Sequence, residues 1–214
     1  MTSQTTPTGA IIRVPIIYAA FFLSGFAALI YQVVWQRSLF ALYGVNIESV
    51  TIVVSAFMLG LGLGSFAAGF VSKDLSRPLL VYFGIIELCI GAYGAISLWV
   101  FHQVGLQTAG VSGIYVFLIT FCLVLFPTAL MGATLPLLVA YTVGKTGNVG
   151  KSISGLYYIN TLGSALASFL TALFILGAFG QQNAVLIAAA ANVCVALFIL
   201  IPWLSARKNA EASS

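Results

Sequence analysis

Charge is nearly missing from this chain of 214 residues. Eight Lys and Arg, four Asp and Glu and a single histidine leave charged side chains at 6% of the total. So few ionic groups form no basic patch able to neutralise phosphates, so the net charge of +4 is no sign of nucleic acid. Cysteine is scarce as well. Cys89, Cys122 and Cys194 make no CxxC and no loop pair, and each lies inside an apolar run as a small filler. One histidine without a His/Cys cluster excludes a metal site. There is no HExxH, no phosphate-binding glycine loop and no nucleophile–base–acid set, so no catalytic residue and no cofactor is expected. Polar stretches long enough for a soluble domain are also missing. The longest connection between apolar runs, 102–111, starts at His102.

Apolar length fills the space instead. Hydrophobic residues make up 61% of the chain, far above a soluble domain. They gather in six runs: 14–35, 47–72, 79–101, 112–143, 153–179 and 183–204. About 20 apolar residues cross a hydrocarbon core of about 30 Å as a helix. The sequence therefore predicts an all-α integral membrane protein of six transmembrane helices spanning 13–205. Polar, disordered tails are expected at 1–12 and 206–214. The first run is too long for an ordinary signal-peptide core and no clear cleavage site follows it, so it is read as an uncleaved span. Arg13, Lys73, Arg77, Lys145, Lys151, Arg207 and Lys208 fall on one side of this arrangement and Arg37 alone on the other. The positive-inside rule then places both termini in the cytoplasm, in a bacterial inner membrane. The lipid bilayer is the first expected partner.

Small residues mark where helices should touch. Gly60, Gly64, Ala68 and Ser72 recur at i, i+4 on one face of the second span. In lipid, apolar side chains gain little from meeting each other, so close backbone approach drives association. Gly91 and Gly163 are read in the same way. Pro127 and Pro136 interrupt the long fourth run, and a kink is expected there.

Polar residues inside the runs are few, and each needs a partner. Glu87, near the middle of the third run, shares a face with Gly84, Gly91, Gly94 and Ala95, so it should point into the bundle. An ionisable group at that depth costs roughly 2.5–3.5 kcal/mol on insertion scales. It must be hydrogen-bonded to a neighbour or carried neutral. Either it holds helices together or it binds a proton or cation. Tyr157, Asn160, Ser164, Ser168 and Thr171 form a stripe along the fifth run. The stripe is either an aqueous lining or structural hydrogen bonding between helices. Gln32, Asn160, Tyr157, Ser164 and Asn192 join Glu87 as the expected intramembrane polar site. Arg37 and Glu48, with Trp35 at headgroup depth, are expected to clamp the first external turn.

A weak repeat runs at an offset of about 100 residues. Leu63-Gly64-Ser65 recurs as Leu162-Gly163-Ser164, Ala28-Leu29-Ile30 echoes Ala129-Leu130-Met131, and Glu87-Leu88-Cys89 falls opposite Asn192-Val193-Cys194. Three helices per copy would give a 3+3 inverted repeat.

The segments SGFAALIYQVVWQR (24–37), AFMLGLGLGSFAAGF (56–70), SRPLLVYFGIIELCIG (76–91), FPTALMGATLPLL (126–138) and GLYYINTLGSALAS (155–168) resemble, in order, the membrane half of the fused spermidine synthase-like proteins. That half is often termed major-facilitator-like. The resemblance covers about 16–180. It carries over onto Tyr31, Trp35, Arg37, Glu87, Pro127, Gly132, Pro136, Tyr158, Asn160, Thr161 and Gly163, while Gln32 stands where many members have Glu. It implies that polyamine chemistry belongs to an aminopropyltransferase-like domain, which we expect to be absent here, and hence that this chain is no enzyme. Two readings follow. One is a non-catalytic membrane subunit or scaffold that binds a protein partner or forms a homo-oligomer. The other is a six-helix transporter of a polyamine or other small organic cation.

Overall fold

A computed structural model describes residues 12–43, 46–108 and 113–212. All regular structure among them is helical: α1 (Val14–Tyr43), α2 (Asn46–Val71), α3 (Leu79–Gln107), α4 (Gly113–Thr146), α5 (Val149–Leu170) and α6 (Leu176–Ala212), with one π-helical turn (Thr171–Ile175) joining the last two. Five helical stretches are long and apolar enough to cross a membrane, not the six the sequence predicts. The difference lies at the C-terminal end, where Val149–Ser205 is a single stretch of 57 residues. Instead of a loop between 179 and 183, a π-helical turn carries the helix on and one residue breaks it. Gly180, at φ 72° and ψ 178°, is non-helical, a conformation open to glycine and strained for other residues.

Contacts on either side of Gly180 show that the chain reverses there. α5 runs alongside α1 in the same direction, with Gly155 against Tyr18 and Gly163 against Phe22. α6 runs against α1, with Gln181 bonded to Ser38 and Asn192 to Tyr31. α6 also continues to Ala212, through much of the segment read from the sequence as a disordered tail. The residues 1–11 lie outside the described ones. α4 passes through Pro127 and Pro136 as one helix of 34 residues, about 51 Å at 1.5 Å per residue. The turn before α3 is tied by Asp74, which accepts from the Ser76 backbone and hydroxyl and from Arg77 Nε. These bonds, those from Ser76 foremost, hold its carboxyl below the usual carboxylate range.

Two helix crossings carry the closest approaches. Where α2 crosses α4, a Cβ on Gly64 would strike the Ala129 carbonyl, one on Gly132 the Leu61 backbone, and one on Gly60 the Thr128 side chain. Ser65 Oγ donates to the Gly132 carbonyl at 2.8 Å. Ala68 is buried on the same face with Leu79 and Leu137. Where α1 crosses α5, a Cβ on Gly163 would strike the Phe22 carbonyl, and one on Gly25 the Asn160 backbone carbonyl. There Ser164 Oγ donates to the Gly25 carbonyl at 3.1 Å. The two crossings match contact for contact: Gly64 with Gly163, Ser65 with Ser164, Gly132 with Gly25, and Leu61 with Asn160. Leu63-Gly64-Ser65 and its echo Leu162-Gly163-Ser164 thus occupy corresponding places.

Gly62 and Gly69 sit on other faces of α2, where an added Cβ meets nothing. Gly64→Leu should therefore lower the melting temperature in detergent by the equivalent of about 1–3 kcal/mol or more, since backbone stands in the way. Gly62→Leu should change stability by less than about 0.5 kcal/mol. Comparable losses in both variants would refute the assigned packing face.

Candidate functional site

Glu87 is fully buried in the middle of the bundle. α3 presents it toward α1 and α6 because its small neighbours let those helices close in. A Cβ on Gly91 would be 3.1 Å from the Ala189 carbonyl, and Gly94 abuts the Tyr31 ring. Both carboxyl oxygens accept hydrogen bonds. Ser24 Oγ of α1 donates to Oε1 at 2.6 Å, and Asn192 Nδ2 of α6 donates to Oε2 at 2.6 Å. Tyr31 OH in turn donates to Asn192 Oδ1 at 3.1 Å. Ser24, Tyr31 and Asn192 are themselves buried. The result is a closed chain of four polar groups linking three helices. An unpaired carboxyl in hydrocarbon would be costly, and hydrogen bonds to both oxygens offset that cost.

Tyr31 connects this chain to an aromatic cluster. Its ring stacks on Trp35 at 5.1 Å between centroids, and Trp35 meets Tyr93 and Phe101 edge-on. The sequence predicts Trp35 at headgroup depth. Its indole is instead fully buried and donates from Nε1 to Ser97 Oγ at 2.9 Å. The helix continues past Trp35 to Tyr43, so the residue lies within the bundle and finds its partner on α3. Arg37 is exposed, and the Glu48 side chain lies outside the described residues. The paired half of the expected clamp is thus not described.

The other expected site residues divide. Asn192, which faced Glu87 only by repeat analogy in the sequence, contacts it directly. Asn160 and Ser164 pack on Gly25 at the α1–α5 crossing, apart from Glu87. Tyr157 is exposed, Gln32 is half-buried, and neither bonds to the Glu87 cluster. Thr171 lies in the π-helical turn, buried, and its hydroxyl has no hydrogen-bond partner. The polar stripe of α5 therefore splits into a helix contact and an outward-facing Tyr157. Sequence reasoning missed Ser24 and the indole of Trp35. A serine beside a glycine on α1 carries no pattern that points to a residue 63 positions away. Cys89, Cys122 and Cys194 are free and exposed, so they face outward instead of filling the interior. Among the described cavities, none is lined by Glu87.

No family model matches the chain, and no solved structure matches it. Curated relatives do. The chain is 27% identical over 198 residues to a polyamine aminopropyltransferase of Oceanobacillus iheyensis, a match covering 91% of this chain and 36% of the relative. It is 22% identical over 184 residues to polyamine aminopropyltransferase 1 of Streptomyces coelicolor, covering 85% of this chain and 33% of the relative. The chain thus spans about a third of the length of these relatives, and the similarity runs through nearly all of its helices. It is related to polyamine aminopropyltransferases. The expectation of no enzyme is overturned, because both relatives are named for an enzymatic activity.

Replacing Asn192 by Leu leaves Glu87 Oε2 and Tyr31 OH without their partner, at a cost of about 1–3 kcal/mol per stranded group. Glu87→Leu should cost a similar amount. The double variant should be more stable than the sum of the two losses, by a coupling of about 0.5–3 kcal/mol, since no stranded partner remains across that bond. Thermal unfolding of the four proteins in one detergent measures this. Strict additivity would mean that the two side chains do not interact.

Proposed function

We propose that this chain is the membrane-embedded part of a polyamine aminopropyltransferase system, and that its helical bundle holds an aminopropyltransferase unit at the bilayer. The observation that carries the reading is the similarity to aminopropyltransferases over nearly the whole chain, borne by helices this long and apolar. The aminopropyl transfer named in the relatives is assigned to the whole protein that this chain forms or joins. Its immediate partners are lipid and that unit.

In this reading Val149–Ser205 crosses twice, folding back at Gly180, so the bundle has six crossings. About 86 Å of helix at 1.5 Å per residue is far too long for one passage through about 30 Å of hydrocarbon. The basic residues other than Arg37 then collect at one end. Tyr141 at the end of α4 bonds to the Ile12 carbonyl before α1, and the start of α3 packs against the end of α6 through Gly84 and Leu200. We assign that end, with both chain termini, to the cytoplasm of a bacterial cell, where lysines and arginines are retained. The matched crossings α2–α4 and α1–α5 support two inverted halves of three helices each, with Glu87 and Asn192 meeting where the halves are related.

Tagged chain expressed in its native background and solubilised in mild detergent should bring aminopropyltransferase activity with it, and membranes lacking the chain should lose that activity. Activity that stays wholly in the soluble fraction in both strains would sink this reading.

A second reading is favoured by one observation, the full burial of the Glu87 carboxyl; in the inverted arrangement proposed above it would lie where transporters built this way bind substrate. Under it the bundle passes a polyamine or other small organic cation. Polyamine uptake into proteoliposomes should then fall at least tenfold with Glu87→Gln. Uptake equal to that of the parent protein would remove Glu87 from any such path.

A further inference from the structure

Two adjoining cavities lie at the basic end of the bundle, away from Glu87. The first, of about 270 Å³, opens between the start of α3 and the end of α4 and is lined by Ser76, Arg77, Pro78, Leu80, Tyr141 and Lys145. The second, of about 490 Å³, runs between α2, α3 and α4 and is lined chiefly by apolar side chains, among them Val71, Ile85, Ile86 and Leu137. Arg77 lines both. One opening is cationic, the other is apolar, and a single guanidinium marks their junction.

Among the described side chains around the opening, Lys73, Arg77 and Lys145 are cationic and Asp74 is acidic, its Oδ2 accepting from Arg77 Nε at 3.1 Å. That bond uses one edge of the guanidinium, and the other nitrogens have no side-chain partner among the described residues. The side chain is 47% exposed, so the free edge can reach a ligand. Lys145 Nζ lies 5.8 Å from the centre of the Tyr141 ring, which keeps the ammonium over the cavity wall. A planar guanidinium and an ammonium together suit a phosphate. An apolar trough that begins at the same arginine suits a hydrocarbon chain attached to it. Lys73, over the Phe70 ring at 4.9 Å, adds a third positive charge at the same level.

We propose that the paired cavities bind one anionic phospholipid from the surrounding leaflet, with its phosphate at Arg77 and Lys145 and an acyl chain in the α2–α3–α4 trough. The proposal rests on the membrane reading given above. The lipid would join the helices on either side of the turn that begins α3, and so steady the cytoplasmic end.

The test uses full-length chain reconstituted in vesicles of equal phosphatidylglycerol and phosphatidylcholine, released gently and weighed with its bound lipid by native mass spectrometry. Retention of one phosphatidylglycerol in preference to phosphatidylcholine is expected. Arg77→Gln with Lys145→Gln should weaken retention by about fivefold for each cation removed. Lys151→Gln with Lys208→Gln removes the same charge elsewhere and should leave retention unchanged. Ala67→Phe, on the exposed wall of the trough, should reduce retention while keeping both cations. Equal losses in the two charge variants would reveal only a diffuse surface attraction and overturn the site. So would protection against thermal unfolding by inorganic phosphate equal to that by phosphatidylglycerol, because the trough would then have no role. Unchanged melting temperatures in lipid-free detergent confirm that the variants fold, and Lys145→Gln alone serves if Arg77→Gln does not. A chain washed from membranes by alkaline carbonate would instead refute the membrane reading, a result separate from the lipid assay.

Discussion

Backbone contact at two glycine-lined crossings is the constraint on which the rest of this bundle depends. At α2–α4 and at α1–α5 the helices approach until a side chain larger than hydrogen would meet a carbonyl of the neighbour. In an apolar solvent, where burying another leucine contributes little, such approach gives dispersion contacts along the whole crossing and brings serine hydroxyls within reach of carbonyls on the other helix. Ser65 and Ser164 both make that bond. With these two pairs locked, α3 and α6 are left to fill the remaining space, and they meet each other along the line that carries Glu87 and Asn192.

That placement explains why a carboxyl is tolerated at such depth. α1 supplies Ser24 and Tyr31, α6 supplies Asn192, and α3 supplies the carboxyl itself, so each helix gives up part of a polar chain that is complete only when all three are assembled. Such a network specifies position more sharply than apolar packing, because a shift along any helix axis strands a buried donor or acceptor. Tyr31 also stacks on Trp35, whose indole bonds to Ser97. Register between α1 and α3 is therefore held at two levels, once by the carboxyl and once by the indole.

The character of the bundle changes along its length. The centre is closed and its polar groups answer one another, which suits a rigid scaffold. The basic end carries the two cavities beside the turn before α3, where Arg77 has nitrogens with no side-chain partner among the described residues. A protein unit held at the membrane surface and a lipid held in the leaflet would both meet the bundle there.

Much of this could be read from residue order. Apolar runs of about 20 residues and more with so few charges point to helices, because in a nonpolar solvent a helix satisfies every backbone donor and acceptor within its own segment. The small-residue faces of Gly60, Gly64, Ala68 and Gly163 follow from spacing alone, as does the inward aim of Glu87. Partners could not be read. Trp35 looks interfacial because tryptophan commonly is, yet Ser97 on another helix draws it inside. Tyr157 shares a helical face with Ser164, but α1 covers only part of that face and leaves the phenol outside. The break at Gly180 falls where the polar Gly180-Gln181-Gln182 separates the fifth and sixth runs, but residue order does not show that a single glycine with a positive φ makes the reversal while helix continues on either side. Local pattern depends on neighbours within a turn or two, and was available from the chain. Which polar group answers which depends on contacts between residues more than 60 positions apart, and those exist only once the helices have packed.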